Sequence, residues 1–244
     1  MIETYIDYLV YASPGLMLLG YALYIRQTLR HEINPNPSTW AMFAYGTGLL
    51  AVLEFDRLGG WGQNFDWSLQ TLIEALPLLA LLGTPIACAL CSLWVAGICL
   101  KRGKIKWPEE REDQISFGAD ILLTISYATA WGLLFTGYIT GEHRLIAALV
   151  FLVGSNLTTI TAFIPLLRQA KRDPGGERAL PWLVWTLSYA TLAIVTYHEV
   201  GLWSELMIYP IMNTLLHGSV ALLALPERRK RVYDQELKKA FQTF

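Results

Sequence analysis

The sequence predicts an all-α membrane protein with seven transmembrane helices: three helices, a linker helix, and three more parallel to the first set, the N-terminus outside. Three observations lead there: seven apolar runs, a one-sided distribution of basic residues, and a duplication within the chain. Of the 244 residues 54% are hydrophobic and only 16% are charged, and the charges gather between apolar runs. A span needs roughly 20 apolar residues. The runs fall at about 7–25, 38–56, 79–100, 117–138, 145–167, 181–199 and 204–226.

With seven spans, one set of loops plus the tail holds 17 of the 19 Lys and Arg residues; only Arg57 and Arg144 fall on the other side. Basic loops stay cytoplasmic, which puts the N-terminus, with Glu3 and Asp7, outside. No basic region and cleavage site precede the first run, so it is expected to be retained.

The duplication centres on Arg26-Gln27-Thr28-Leu29-Arg30 and its second copy, Arg168-Gln169-Ala170-Lys171-Arg172. Laying residues 26–61 over 168–203 gives eight identities in 36 positions, among them Gln27/Gln169, Trp40/Trp182, Leu50/Leu192 and Trp61/Trp203. The copy resumes at 81–100 over 206–225, pairing Pro85/Pro210, Leu90/Leu215 and Val95/Val220. Three apolar segments repeated in one membrane chain signal a transporter-like duplication. The fourth span has no partner. Three spans reverse direction, so the fourth acts as the linker that brings the second copy back parallel to the first. The chain then divides into a first three-helix bundle at 1–100 with an outer loop at 59–78, an inner loop and linker helix at 101–144, a second bundle at 145–226, and a basic cytoplasmic tail at 227–244.

In order, the first span carries Tyr8, Tyr11, Tyr21 and Tyr24, with Pro14-Gly15 as a candidate kink. Asn34-Pro35-Asn36-Pro37 reads as a turn, with Ser38 as N-cap of the second span. That span is rich in Gly and Ala, which permits close packing. It ends in Glu54, Asp56 and Arg57 near the outer surface, where Glu54 is a candidate gate or ion-pair partner of Arg57 or His198. In the outer loop, Leu69, Leu72, Ile73 and Leu76 recur at helical spacing, as in a helix lying on the membrane surface. Trp61, Trp67 and Trp203 fit an outer aromatic belt, and Trp40, Trp107 and Trp182 an inner one. Cys88, Cys91 and Cys99 read as small packing residues, since no His or carboxylate lies near them in sequence on that span. Asp120, Thr124, Tyr127 and Trp131 share a face of the fourth span, with Asp120 at its solvated end. Arg228-Arg229-Lys230-Arg231 suits topology or lipid headgroups.

The clearest polar stripe is Tyr209, Asn213 and His217, at steps of four in the last span. Asn and His in hydrocarbon are costly unless paired or facing a cavity. The stripe therefore reads either as a central binding site or as structural interhelical bonding. Trp185, Tyr189 and Tyr197 in the sixth span could stack on a solute or simply pack, and Asn156 in the fifth is expected to face inward. The paired Arg26-Gln27 and Arg168-Gln169 hold topology and cap helix ends, or form an inner gate between the bundles. No nucleophile–base pair, metal cluster or phosphate loop appears. An enzyme, a cofactor and a nucleic-acid partner are therefore not expected.

This pattern of three spans, a linker and three parallel spans resembles the SWEET sugar transporters and their PQ-loop relatives, which include vitamin transporters and the KDEL cargo receptor. The family's Pro-Gln pair at the inner end of each repeat's first span is matched by Gln27 and Gln169, with Pro165 upstream of the second. Its Asn after a Pro in each repeat's third span is matched by Pro210 and Asn213, while Cys88 stands after Pro85 in the first copy. The resemblance implies paired aromatic walls near Tyr197 and Phe55 and alternating access between two bundles. The expected function is a facilitator or proton-coupled carrier of a small polar or aromatic solute. The other class in view is a seven-span receptor or partner-binding subunit, contacting a protein partner or a second copy through the outer loop or the tail. Short loops and few glycosylation signals point to a bacterial plasma membrane.

Overall fold

The computed structural model describes residues 2–33, 35, 37–57, 76–102, 111–138, 141–173 and 175–225. Helices are the only regular structure among them: α1 (Ile2–Leu29), α2 (Pro37–Arg57), α3 (Leu76–Lys101), α4 (Arg111–Phe135), α5 (Gly141–Arg172), α6 (Ala179–Val200) and α7 (Ile208–Leu223), the last preceded by a 3-10 turn at Glu205–Met207. Six of the seven long helices are long and apolar enough to cross a membrane. The other, α2, is diluted by Thr, Gly, Trp and Tyr and closes on Glu54, Asp56 and Arg57.

Local chemistry sets the helix ends. Pro37 opens α2 at the first helical position, where its missing N–H costs nothing, one residue before the expected Ser38 cap. α1 ends when His31 turns left-handed at φ 59, and Glu32 N donates to Gln27 O while His31 N donates to Thr28 O. That pair of bonds is a Schellman motif. Gly137, at φ 77, closes α4 the same way, with Tyr138 N bonded to Leu133 O and Gly137 N to Leu134 O. The fourth helix therefore stops at Phe135, short of the expected 138. Leu76 and Pro77 belong to the start of α3, not to a separate surface segment. Leu69, Leu72, Ile73, Trp61, Trp67, Trp107 and the tail lie outside the described residues.

The helices pack in a ring. α1 lies against α3, α3 against α2, α2 against α5, α5 against α7, α7 against α6, and α6 against α1. α4 sits outside the ring, mainly on α5 and with a lesser contact to α2. Three polar contacts hold it there. Tyr127 OH donates to Asp56 Oδ2 at 2.9 Å, Tyr45 OH and Thr124 Oγ1 are 2.6 Å apart, and Thr158 Oγ1 donates to Asp120 Oδ1 at 2.5 Å. Asp120 is therefore a buried anchor between α4 and α5 and not a solvated helix end. Gly46 leaves it room on the α2 side, since a β-carbon there would stand 3.4 Å from Asp120 Oδ2. Exposed Leu90, Leu93, Trp94, Leu122, Ile125, Leu215 and Leu222 give the bundle an apolar outer surface.

Candidate functional site

The expected α7 stripe is inside the protein. Tyr209, Asn213 and His217 are all buried and share one helix face. Their main-facing polar atoms are used locally: Asn213 Nδ2 donates to Tyr209 O at 3.0 Å, and His217 Nδ1 lies 2.9 Å from Asn213 O. A carbonyl only accepts, so Nδ1 carries a hydrogen. Tyr209 OH and Tyr189 OH are 3.1 Å apart, joining α7 to α6.

Around this stripe the rings of both halves of the helix ring meet. α1 supplies Tyr21 and Tyr24, α2 supplies Trp40 and Phe43, α5 supplies Phe163, and α6 supplies Trp182, Trp185 and Tyr189. Ring centroids across the seam are 4.8 Å apart for Tyr21–Trp185, 5.4 Å for Tyr24–Trp185, 6.4 Å for Trp40–Trp182 and 4.8 Å for Phe43–Phe163. His217 is enclosed by Phe163, Trp182, Trp185 and Tyr189 at 4.9, 5.5, 5.9 and 4.7 Å. Trp40 and Trp182 are thus core residues facing each other, not members of an interfacial belt. Each is buried because its helix turns that face to the seam.

Hydroxyls and an indole tie α1 to α6 across the same seam, and further hydroxyls tie α1 to α3 beside it. Ser188 Oγ donates to Ser13 O at 2.7 Å, Ser13 Oγ donates to Ser188 O at 3.0 Å, and Thr84 Oγ1 lies 2.6 Å from Ser13 Oγ. Trp185 Nε1 donates to Met17 O at 3.2 Å. Tyr21 OH reaches Ser92 Oγ at 2.6 Å and Cys88 O at 3.2 Å.

Each end of the seam has a buried carboxylate. Glu177, in the turn between α5 and α6, is 1% exposed. It accepts Tyr24 OH at Oε1 (3.1 Å) and Trp182 Nε1 at Oε2 (3.0 Å). Burial holds its carboxyl up to about 7, against the pull of those two donors and with help from Asp173. Glu54, toward the other end of α2, lines a cavity of about 20 Å³ with Thr196, Tyr209, Pro210 and three Leu side chains. That volume suits a single water. Neither suggested partner of Glu54 is seen: His198 bonds Glu199 at 3.3 Å on the surface, and the Arg57 side chain lies outside the described residues.

No family model, curated protein or solved structure matches the chain. Its site is therefore read from its own geometry.

The structure brings together Asn213, His217, Tyr209, Tyr189 and Trp185. Tyr197 is not with them: it is 57% exposed, on the outer face of α6. It lies eight residues past Tyr189, and that step turns it off the buried stripe. Asn156 is buried, as expected, but its Nδ2 bonds Leu152 O at 2.9 Å, and its Oδ1 is buried without a hydrogen-bond partner. Arg26 and Arg168 are exposed, and Gln27 and Gln169 are half-buried. Gln27 O and Gln169 O take main-chain bonds from Glu32 and Asp173, the helix-ending role.

Several central residues did not stand out in the sequence. Tyr21 and Tyr24 were visible only as tyrosines of the first apolar run, and Trp40 only as a repeat identity with Trp182 and a belt residue. Glu177, which follows Gly175-Gly176 in a charged turn, was not singled out. Among the described residues no three of His, Cys, Asp and Glu gather as metal ligands.

Proposed function

We propose that the chain is a membrane transporter that moves a small polar or aromatic solute by rocking two three-helix bundles, α1–α3 and α5–α7, about their common seam. The carrying observation is the seam itself. Its buried rings and polar groups come from both bundles, with Asn213 and His217 among them. The order of packing supports the duplication: exchanging α1, α2 and α3 for α5, α6 and α7 leaves the ring of neighbours unchanged. This reading takes α2 as the second of seven spans, the Glu177 end as cytoplasmic, and a bacterial plasma membrane as the setting. Arg26-Gln27 and Arg168-Gln169 then flank the inner end as gate or topology residues.

The test is uptake by liposomes containing the purified full chain, against a panel of sugars, vitamins, nucleosides, amino acids and amines. At least one solute should equilibrate faster than in empty liposomes. Asn213→Ala should remove that gain while keeping the helical circular-dichroism signal. A panel in which nothing moves, at two pH values, counts against transport.

The closed packing of the seam favours a second reading, a seven-span receptor or subunit that binds a protein partner. The turn between α6 and α7 offers a surface for it, with Trp203 96% exposed. In that case no solute moves, and Trp203→Ser weakens partner capture.

A further inference from the structure

The ionisable side chains buried among the described residues are almost all of one sign. Glu54, Asp56, Asp120 and Glu177 are buried, and no Lys or Arg is. His217 is the one buried side chain able to carry positive charge. Asp56 and Asp120 hold α4 in place through Tyr127 and Thr158. The other two carboxylates lie on the seam, one toward each end.

Glu54 is 7% exposed, lines the cavity, and takes no hydrogen bond from any described residue. A buried carboxylate without a donor is costly, so it either keeps its proton or pairs with a cation, and ionisable groups inside a membrane mark the paths of ions and solutes. Glu177 closes the far end. Trp40 and Glu54 are fourteen residues apart on α2, as are Trp182 and Thr196 on α6, so the two ends of the seam are about 21 Å apart. Between those ends the rings of Tyr24, Trp40, Trp182, Trp185 and Tyr189 are buried together along the seam. An aromatic face carries a negative quadrupole and attracts cations, most strongly on Trp. Two acidic groups and the ring faces between them suit a cation better than an anion. An anionic solute would meet the two acidic groups and, among the described residues, no fully buried Lys or Arg, the half-buried Arg178 beside Glu177 being the nearest approach to one.

From this we infer that the solute is an organic monocation, an amine or quaternary ammonium. It would be received at Glu54, passed over the faces of Trp40, Trp182 and Trp185 as the bundles part, and released past Glu177. The inference rests on the transport reading above and names its substrate class.

The experiment measures uptake of labelled choline, tetramethylammonium and tyramine by liposomes containing the full chain, beside glucose as a neutral probe and pyruvate as an anion. At least one of the three cations should enter faster than into empty liposomes, and glucose and pyruvate should not. Glu54→Gln, which keeps shape and removes charge, should raise the half-saturating cation concentration about tenfold, as for loss of roughly 1.4 kcal/mol of binding, with its melting temperature close to that of the parent. Transport of glucose or pyruvate without any cation overturns the inference and leaves the transport reading standing. Cation uptake unchanged in Glu54→Gln also overturns it. If no probe of any charge moves, and the wider panel is equally inert, the transport reading fails and the inference with it.

Discussion

Gly20 is a point where α1 and α6 meet so closely that a side chain has no room. A β-carbon there would overlap Nε1 and Cδ1 of Trp185, whose N–H is bonded to Met17 O. The indole is packed among Tyr21, Tyr24, Trp40 and Trp182 and has nowhere to turn. Gly20→Ala should therefore lower stability by about 1–3 kcal/mol, the usual cost of overpacking. Gly15, with nothing within 4 Å of its added carbon, is the control on the same helix. Gly15→Ala should be neutral or raise stability by up to about 1 kcal/mol through helix propensity. Melting curves in detergent compare the two, and equal shifts would refute the close contact. Glu177 gives a pH signature at the same scale. Its carboxyl rises from 4.5 to about 7, so the folded state holds the proton more tightly than the unfolded chain does. That contribution is complete below pH 4.5 and is lost as pH rises through about 7, worth on the order of 3 kcal/mol. The groups facing it are Tyr24 from α1, Asp173 from the end of α5 and the Trp182 indole. The melting temperature of the parent protein should fall between pH 5 and 8, and Glu177→Gln should flatten part of that fall. An identical slope in the variant would place the titration elsewhere.

At the scale of elements, helix ends carry more information than helix middles. Asn34-Pro35-Asn36-Pro37 predicted a break, and α1 ends before it by turning His31 left-handed. A residue with a β-carbon pays about 1 kcal/mol for that conformation, and glycine does not. His31→Gly should therefore raise stability by about 0.5–1 kcal/mol, because His31 is exposed and its side chain adds no core packing. A lower melting temperature for His31→Gly would show that the His31 side chain holds the turn by some other means. The breaks between helices were legible because turn residues and charges punctuate them. The inward face of each helix was less legible, because hydropathy in a membrane chain is high on every side and the usual amphipathic signal is weak. Tyr197 and Tyr189 looked alike in sequence, yet one faces out and one in. Asp120 looked solvated because its partner, Thr158, lies on a different helix.

On the scale of the whole molecule, the all-helical architecture could be read from apolar runs and charge placement. The α7 stripe could be read from its four-residue steps. The lock between α1 and α6 could not, because its members, Ser13, Ser188, Met17 and Trp185, are ordinary residues of apolar spans and meet only through tertiary packing. That lock is also where the rocking reading is most exposed. Ser13 Oγ and Ser188 Oγ lie 3.4 Å apart, one on each bundle. Ser13→Cys with Ser188→Cys, in a chain with Cys88, Cys91 and Cys99 replaced, should oxidise to a disulfide that ties the bundles together. If transport needs the seam to open along α1 and α6, uptake should fall at least about tenfold on oxidation, a barrier increase of roughly 1.4 kcal/mol, and return on reduction. The melting temperature should rise with the same cross-link, since it constrains the unfolded chain. A fully cross-linked protein that transports at the reduced rate's equal would show that the solute passes without separation of the bundles at this contact, and the two halves would then have to be treated as one rigid body.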